Sequence, residues 1–423
     1  MSRASYETKQ ATPRAFLVFV NSDAEEDEYS ESELNSLCEA AGVGVVGSIR
    51  QRVDQPSTAS YIGKGKLEEL WAGVQDTSSD LVVFDCELSS IQLRNVSDRL
   101  KVRVIDRTQL ILDIFALRAH TREGVLQVEL AQLTYMMPKI TAVYTEFERQ
   151  KGGIGMRGPG ETQLESDRQK IRVKIKQLKE ELEDVRKARG RQRASRRKHP
   201  FPFACLVGYT SAGKSSIMNR LSGSEVFADP MLFATLDPTT RKVELPHGYA
   251  VFLTDTVGFV RNLPTGLVAA FRATLEEVTD ADFLIHIVDS SSANWEAQQE
   301  AVLQTLVSLE ADNKPMLTVF NKLDLVKEKA ELREQMNLND PAVAMSAKTG
   351  EGADALCDAV AQMIRSLLTP VVATIPYDKS GLVQECYDFG RVLDVQHEAD
   401  GIHLSAEVTS AMASKLKPYV KQP

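Results

Sequence analysis

The run Gly208-Tyr209-Thr210-Ser211-Ala212-Gly213-Lys214-Ser215 constrains this chain more than any other stretch. It fits G-x-x-x-x-G-K-[ST]. It follows an apolar run, Phe203–Val207, and opens a helical pattern, Ser216–Leu221. Such a loop works only between a strand and a helix, where its backbone N–H groups turn inward around phosphate oxygens. Lys214 then supplies a point charge at the β- and γ-phosphates, the Ser215 hydroxyl offers a ligand to Mg²⁺, and the helix N-terminus favours the anion. The fold class that follows is α/β. Long apolar strands continue at Ala250–Leu253, Phe283–Val288, Met316–Phe320 and Val343–Met345, the pattern of a buried, mostly parallel sheet.

Four later segments fall at the ends of these strands. Asp255-Thr256-Val257-Gly258 places an acid where it holds Mg²⁺ through water and a glycine N–H where it meets a γ-phosphate. Asn321-Lys322-Leu323-Asp324 places a carboxylate that accepts from the N1–H and exocyclic amine of guanine. Adenine has no matching donor pair, so Asp324 selects GTP. Ser346-Ala347-Lys348 closes over the base. Phe233-Ala234-Thr235-Leu236-Asp237 lies between the phosphate loop and Asp255. A threonine there completes the Mg²⁺ shell when the γ-phosphate is present, with Thr235 the first choice and Thr239 the second. Phe259 stands where many GTPases carry a water-orienting glutamine. No catalytic side chain is assigned, and unassisted hydrolysis is expected to be slow. Cys205 and His286 fall inside strands and read as core.

The first 105 residues alternate strands (Ala15–Val20, Val43–Ile49, Leu81–Phe84, Val102–Ile105) with helical stretches (Ser32–Ala41, Lys64–Trp71, Ile91–Leu100). They form a small α/β layer. Asp85, Cys86 and Glu87 read as a strand-end turn. Two seams follow, Leu126–Leu130–Leu133–Met137 and Ile171–Ile175–Leu178–Leu182–Val185, at alternating steps of three and four. These are helices of an antiparallel hairpin. Pro138 is expected to end the first, and the basic stretch after Val185 to be a helix end and linker. The division expected is 1–106, 107–199, 200–368 and a small α+β tail, 369–423, with strands Val371–Pro376, Arg391–Val395 and Ile402–Ala406 and a helix Val408–Leu416.

Charge separates the hairpin from the rest. The 423 residues carry a net −9, but residues 149–199 hold 17 lysines and arginines against 7 acids, which leaves −19 elsewhere. A basic band on an acidic protein points to a polyanionic partner. The hairpin tip, Lys151-Gly152-Gly153-Ile154-Gly155-Met156-Arg157-Gly158-Pro159-Gly160, contains G-x-G-x-x-G. The charged residues before it and the lack of a βαβ unit exclude a dinucleotide site. A flexible, partly basic tip suits a phosphate-lined RNA cavity. Lys151, Gly152, Gly153, Gly155, Arg157, Gly158 and Gly160 are candidate RNA contacts, with Arg193, Arg196 and Arg197 further along. Five scattered cysteines form no disulfide framework. No apolar run approaches a membrane span and no secretory signal opens the chain. A cytoplasmic protein, monomeric when free, is expected.

TREGVLQVELAQLTYMMPKI, GGIGMRGPGETQLESDR, GYTSAGKSS, LFATLDPTTR, DTVGF and NKLD together resemble the HflX family of ribosome-associated GTPases. The resemblance implies nucleotide contacts on Gly208 to Ser215, Phe233 to Asp237, Asp255 to Gly258, Asn321 to Asp324 and Ser346 to Lys348, with Mg²⁺ on Ser215 and Thr235. It implies binding to the 50S subunit and its RNA, the tip approaching the peptidyl-transferase region, and GTP-dependent splitting of stalled ribosomes under stress. Phe259 fits that family's pattern. The rivals are a signalling GTPase whose helical arm binds a protein partner, and an RNA-modifying or RNA-unwinding enzyme. No Cys/His constellation accompanies the arm, which argues against modification.

Overall fold

The computed structural model describes residues 12–21, 27–53, 55–150, 159–196, 201–223, 232–233, 235–261, 275–326, 329–339, 341–388 and 390–420. The chain forms two compact units. One comprises Met1–Leu182 with Met231–Phe233 and Leu263–Phe271, and the other the remainder.

The first unit holds a parallel sheet in the order β2 (Gly44–Arg52), β1 (Arg14–Asn21), β3 (Leu81–Phe84), β4 (Arg103–Asp106). Ala15 through Phe19 are all buried, so both faces of β1 are covered, as a parallel sheet requires. Helices α1 (Asp27–Ala40), α2 (Lys64–Thr77) and α3 (Ser90–Leu100) follow β1, β2 and β3. The Phe16 ring lies between Gly47 and Gly73. A Cβ on either glycine would come within 2.8 Å of the ring, so any side chain there would displace the phenyl group.

Helix α4 (Arg107–Arg118) buries Leu110, Ile111, Leu112, Ile114 and Phe115 and leaves Gln109, Asp113, Ala116 and Leu117 on its more open side. At its start Arg107 sits buried between Asp85 (2.8 Å) and Glu33 (2.5 Å), so Asp85 does more than close a turn. The neighbouring Asp106 carboxylate is wholly buried. It accepts from the N–H groups of Leu88 and Gln109, from the Tyr135 hydroxyl and from Lys139 Nζ at 2.6 Å.

Tyr135 and Lys139 belong to α5 (Arg122–Gln150), which packs against α3 and α4. The expected end at Pro138 is corrected, since Pro138 lies inside α5. Proline deletes one N–H and frees the carbonyl of Thr134. Both residues are exposed, so water satisfies that carbonyl and the helix continues. The second correction concerns α6, which runs from Pro159 to Arg196. The basic stretch after Val185 is therefore helical up to Arg196. A polar segment with few β-branched residues and several Ala, Arg and Lys keeps high helix propensity after its apolar seam ends. The two helices are antiparallel, because Arg122 pairs with Glu181 and Glu129 with Lys174. Leu126, Leu130, Leu178 and Leu182 are the buried members of the seams.

The second unit carries a six-stranded sheet ordered β10 (Ala342–Ala344), β9 (Met316–Asn321), β8 (Phe283–Asp289), β5 (Phe203–Gly208), β7 (Ala250–Asp255), β6 (Thr239–Glu244). All pairs are parallel except β6 on β7. Helices α7 (Lys214–Ser222), α8 (Trp295–Ser308), α9 (Lys329–Leu338) and α10 (Ala353–Leu367) accompany it. Cys205 and His286 are buried in β5 and β8, as core residues. A small antiparallel sheet follows, β11 (Thr369–Ile375), β13 (Gly401–Val408) and β12 (Gly390–Glu398), with helices α11 (Gly381–Asp388) and α12 (Ser410–Leu416). Glu407 of β13, 4% exposed, accepts from the Tyr249 hydroxyl at 2.5 Å and from Arg365 Nε at 2.9 Å. All five cysteines are free thiols, and none is exposed.

Candidate nucleotide-binding site

The carboxyl ends of β5, β7 and β9 meet at one edge of the six-stranded sheet, where a doubly wound fold places its ligand. Gly208 ends β5 and Lys214 begins α7. Between them Ser211 (φ 59°) and Gly213 (φ 97°) adopt left-handed backbone, the alternation that points successive N–H groups at one anion. Gly213 is required twice over. A Cβ there would also lie 2.2 Å from Asn321 Nδ2.

Lys214 is 6% exposed, and its ammonium donates to the carbonyls of Gly208 (3.1 Å) and Tyr209 (2.8 Å). Burial lowers its pKa to about 8, with Asp255 opposing the shift. Ser215 Oγ donates to Asp255 Oδ2 at 2.6 Å and lies 2.9 Å from Thr235 Oγ1, and Thr235 donates to the same carboxylate oxygen at 3.0 Å. Three hard oxygens from three separate segments thus converge. Asp255 Oδ1 is buried without a hydrogen-bond partner among the described residues. Burial raises the Asp255 pKa, and Lys214 and the two hydroxyls hold it down. A carboxylate and two hydroxyls with an unspent oxygen fit a small, oxygen-preferring dication.

Asp255 leads into Thr256, which bonds back to β5, and on to Gly258, which lies against the phosphate loop. The Thr256 hydroxyl donates to Leu206 O at 2.6 Å. A Cβ on Gly258 would meet Thr210 Cα at 2.8 Å and Lys214 Nζ at 3.0 Å. Phe259 N donates to Gly208 O at 3.1 Å, and Thr210 N to Phe259 O at 2.8 Å. The Phe259 ring is 2% exposed, so this position packs inward.

At the other end, Asn321 Nδ2 donates to Ala212 O at 2.8 Å and Ala347 N to Asn321 Oδ1 at 3.0 Å. Asp324 is exposed and accepts from Ser346 Oγ at 2.6 Å. Lys322 (φ 63°) pairs with Asp289 at 2.6 Å, and Leu323 is buried beneath.

Thr235 reaches Ser215 and Asp255, and Leu236 is buried. Phe233 lies in the first unit, its ring edge-on to Phe115 with centroids 4.6 Å apart. Thr239 sits in β6 opposite Asp255, and Ala234 lies outside the described residues. So do Lys151, Gly152, Gly153, Gly155, Arg157, Gly158 and Arg197. Of Gly160, Arg193 and Arg196 only the backbone, helical in α6, is described. Asp289 and Arg220 were missed by sequence reasoning. Asp289 has a signal, an acid at a strand end. Arg220 has none, since its partners are carbonyls.

Four family models match consecutive stretches: a GTP-binding GTPase N-terminal region (28–116), a GTP-binding GTPase middle region (118–196), a 50S ribosome-binding GTPase (203–322) and an HflX C-terminal domain (328–420). A GTPase HflX from Caldanaerobacter subterraneus subsp. tengcongensis is 43% identical over 407 residues, 96% of this chain and 94% of that protein. The chain belongs to the HflX family of GTPases. A GTPase HflX from Escherichia coli is 40% identical, covering 94% of this chain and 93% of its own length. A crystal structure described as SsGBP in complex with GDP aligns over 84% of this chain and 99% of its own, at 26% identity and a TM-score of 0.49. As an HflX-family protein, the chain is a GTPase with a P-loop domain on a mostly parallel sheet. No helix among the described residues is long and apolar enough to cross a membrane.

Proposed function

We propose that the chain binds GTP with Mg²⁺ at the edge formed by β5, β7 and β9, and uses that state to bind the large ribosomal subunit and dissociate stalled ribosomes. The convergence of Ser215, Thr235 and Asp255 carries this reading. It ties the phosphate loop to the segment before β6 and to the end of β7, the parts a γ-phosphate orders in a GTP switch. Ser215 and Thr235, with Asp255 beside them, would hold the dication, which would supply charge neutralisation at the phosphates. Lys214 gives up its two carbonyl partners for phosphate oxygens. Gly258 leaves room for its own N–H to approach the γ-phosphate. Asp324 accepts from guanine, and Ser346-Ala347-Lys348 closes over it.

Phe259 packs inward where a water-orienting glutamine would stand, and a phenyl ring cannot orient the attacking water. We therefore assign the stimulation of hydrolysis to the ribosome. The hairpin of α5 and α6 projects the glycine-rich tip toward ribosomal RNA, and the basic end of α6 meets phosphate. In this reading the protein works in the cytoplasm, is monomeric when free, and divides at 1–106, 107–199, 200–368 and 369–423.

Sucrose-gradient sedimentation with ribosomes tests it. With a non-hydrolysable GTP analogue the protein should travel with the large subunit, and GDP should release it. Ribosomes should raise turnover well over tenfold from a rate far below once per second. Equal turnover with and without ribosomes would remove the assignment. Binding that survives high salt would favour the protein-partner rival, because phosphate contacts weaken steeply with salt.

A further inference from the structure

We propose that Arg220, in the last turn of α7, is a positioning residue for guanine selection, acting through the 346–350 loop on Asp324. Its guanidinium donates to two consecutive carbonyls of that loop, Nε to Ala347 O at 3.3 Å and Nη2 to Lys348 O at 2.9 Å. It lies against Gly350, where a Cβ would stand 3.2 Å from the guanidinium carbon and where φ is +90°. A side chain at Gly350 would crowd the guanidinium and sit on strained backbone.

A trans peptide is planar, so fixing its C=O fixes the following N–H in the opposite direction. With Lys348 O held by Arg220, the Thr349 N–H turns away and reaches Ser346 Oγ at 3.1 Å. That hydroxyl donates in turn to Asp324 Oδ1 at 2.6 Å. Gly350 N closes the turn on Ser346 O at 2.8 Å. The chain Arg220, Lys348 peptide, Ser346, Asp324 therefore fixes a carboxylate that is itself exposed and would otherwise sample several rotamers. Arg220 is also six residues from Lys214 on one rigid helix, about 9 Å along its axis. One short element thus sets both the phosphate end and the base end of the site. A charged donor to a carbonyl is roughly twice as strong as a neutral one, and a guanidinium fork reaches two carbonyls where an ammonium reaches one.

The inference rests on Asp324 as the guanine acceptor, and the test separates the two. In the full chain, release of a fluorescent GDP and affinities for GDP, inosine diphosphate, xanthosine diphosphate and pyrophosphate are measured for Asp324→Asn, Arg220→Ala and Arg220→Lys. Asp324→Asn should turn preference from guanine to xanthine; if it does not, the base-site reading itself fails. Given that turn, Arg220→Ala should release GDP about 5- to 30-fold faster. It should shrink the preference for GDP over inosine diphosphate, which lacks the amine, at least threefold. Pyrophosphate binding should stay within twofold, and Arg220→Lys should fall between. GDP release at the unmodified rate, or parallel loss of GDP and pyrophosphate in both Arg220 variants, would overturn the role.

Discussion

A lysine shut away from water is a reluctant cation, and among the described residues Lys214 holds its proton with two carbonyls and the nearby Asp255 carboxylate. Its pKa of about 8 against 10.5 for the free side chain makes nucleotide binding a proton-linked event. The nucleotide-free fold binds fewer protons than the unfolded chain between pH 8 and 10.5, so its stability rises across that window. A phosphate anion restores the charge. GDP should therefore bind with uptake of a fraction of a proton above pH 8, with near-zero uptake at pH 6.5, and affinity should fall as pH rises past 8. Calorimetry in buffers of different ionisation enthalpy reads the uptake directly, and no buffer dependence at pH 8.5 would contradict it. Phe259 makes the opposite case, a residue whose chemistry matters by being absent. Phe259→Gln should leave ribosome-free turnover no faster, because the position faces the interior. It should cost about 3 kcal/mol in urea unfolding, as for other truncated buried rings.

The arm belongs to the scale of elements. Asp106 collects four donors, two of them from α5, so the hairpin has a fixed base within the first unit. Replacing Ile154–Gly160, beyond that base and remote in sequence from every nucleotide contact, with a Gly-Ser linker should leave GTP affinity unchanged and abolish ribosome splitting by light scattering. Reversing charge at Arg193, Arg196 and Arg197 should weaken ribosome binding broadly and flatten its salt dependence by about one unit of slope per lost phosphate contact. Long apolar runs made most elements legible: β1, β3, β5, β8 and β9 are buried on both faces and read as strands from residue type alone. Strand β6 was not legible, because Thr239-Thr240-Arg241-Lys242-Val243-Glu244 buries one aliphatic side chain and owes its extended form to pairing with β7. Helix α11 is eight residues long and opens on a glycine, so it carries little local signal. In the candidate site, Lys214, Ser215, Asp255 and Asp324 could be singled out from sequence because phosphate and guanine chemistry would dictate their spacing. Arg220 was not, since a guanidinium on backbone carbonyls leaves no mark on the sequence of its partner.

At the scale of the whole molecule, the second unit contains a joint built on one buried carboxylate, Glu407. Glu407 takes hydrogen bonds from Tyr249, at the far end of the β6–β7 hairpin, and from Arg365 of α10. Tyr249→Phe should destabilise this unit by about 1–3 kcal/mol, because a buried carboxylate loses a donor. Glu407→Gln combined with it should cost less than the two separately, by about 1 kcal/mol of coupling. Urea denaturation of the four proteins measures that difference, and strict additivity would mean the joint contributes nothing. The thiols give both units a second kind of readout. Burial pushes Cys38 and Cys86 up to about 12 and Cys386 to about 11, and Cys205 and Cys357 are raised too. At pH 8 the thiolate fraction at Cys38 is on the order of one in ten thousand, so a maleimide or disulfide reagent meets almost no nucleophile while the fold is closed. Modification then proceeds at the pace of opening, and mass spectrometry of each cysteine peptide times that opening separately. Of the fully buried sulfurs, Cys38 clocks the first unit and Cys205 and Cys386 the second, in one unmutated sample, with and without GDP.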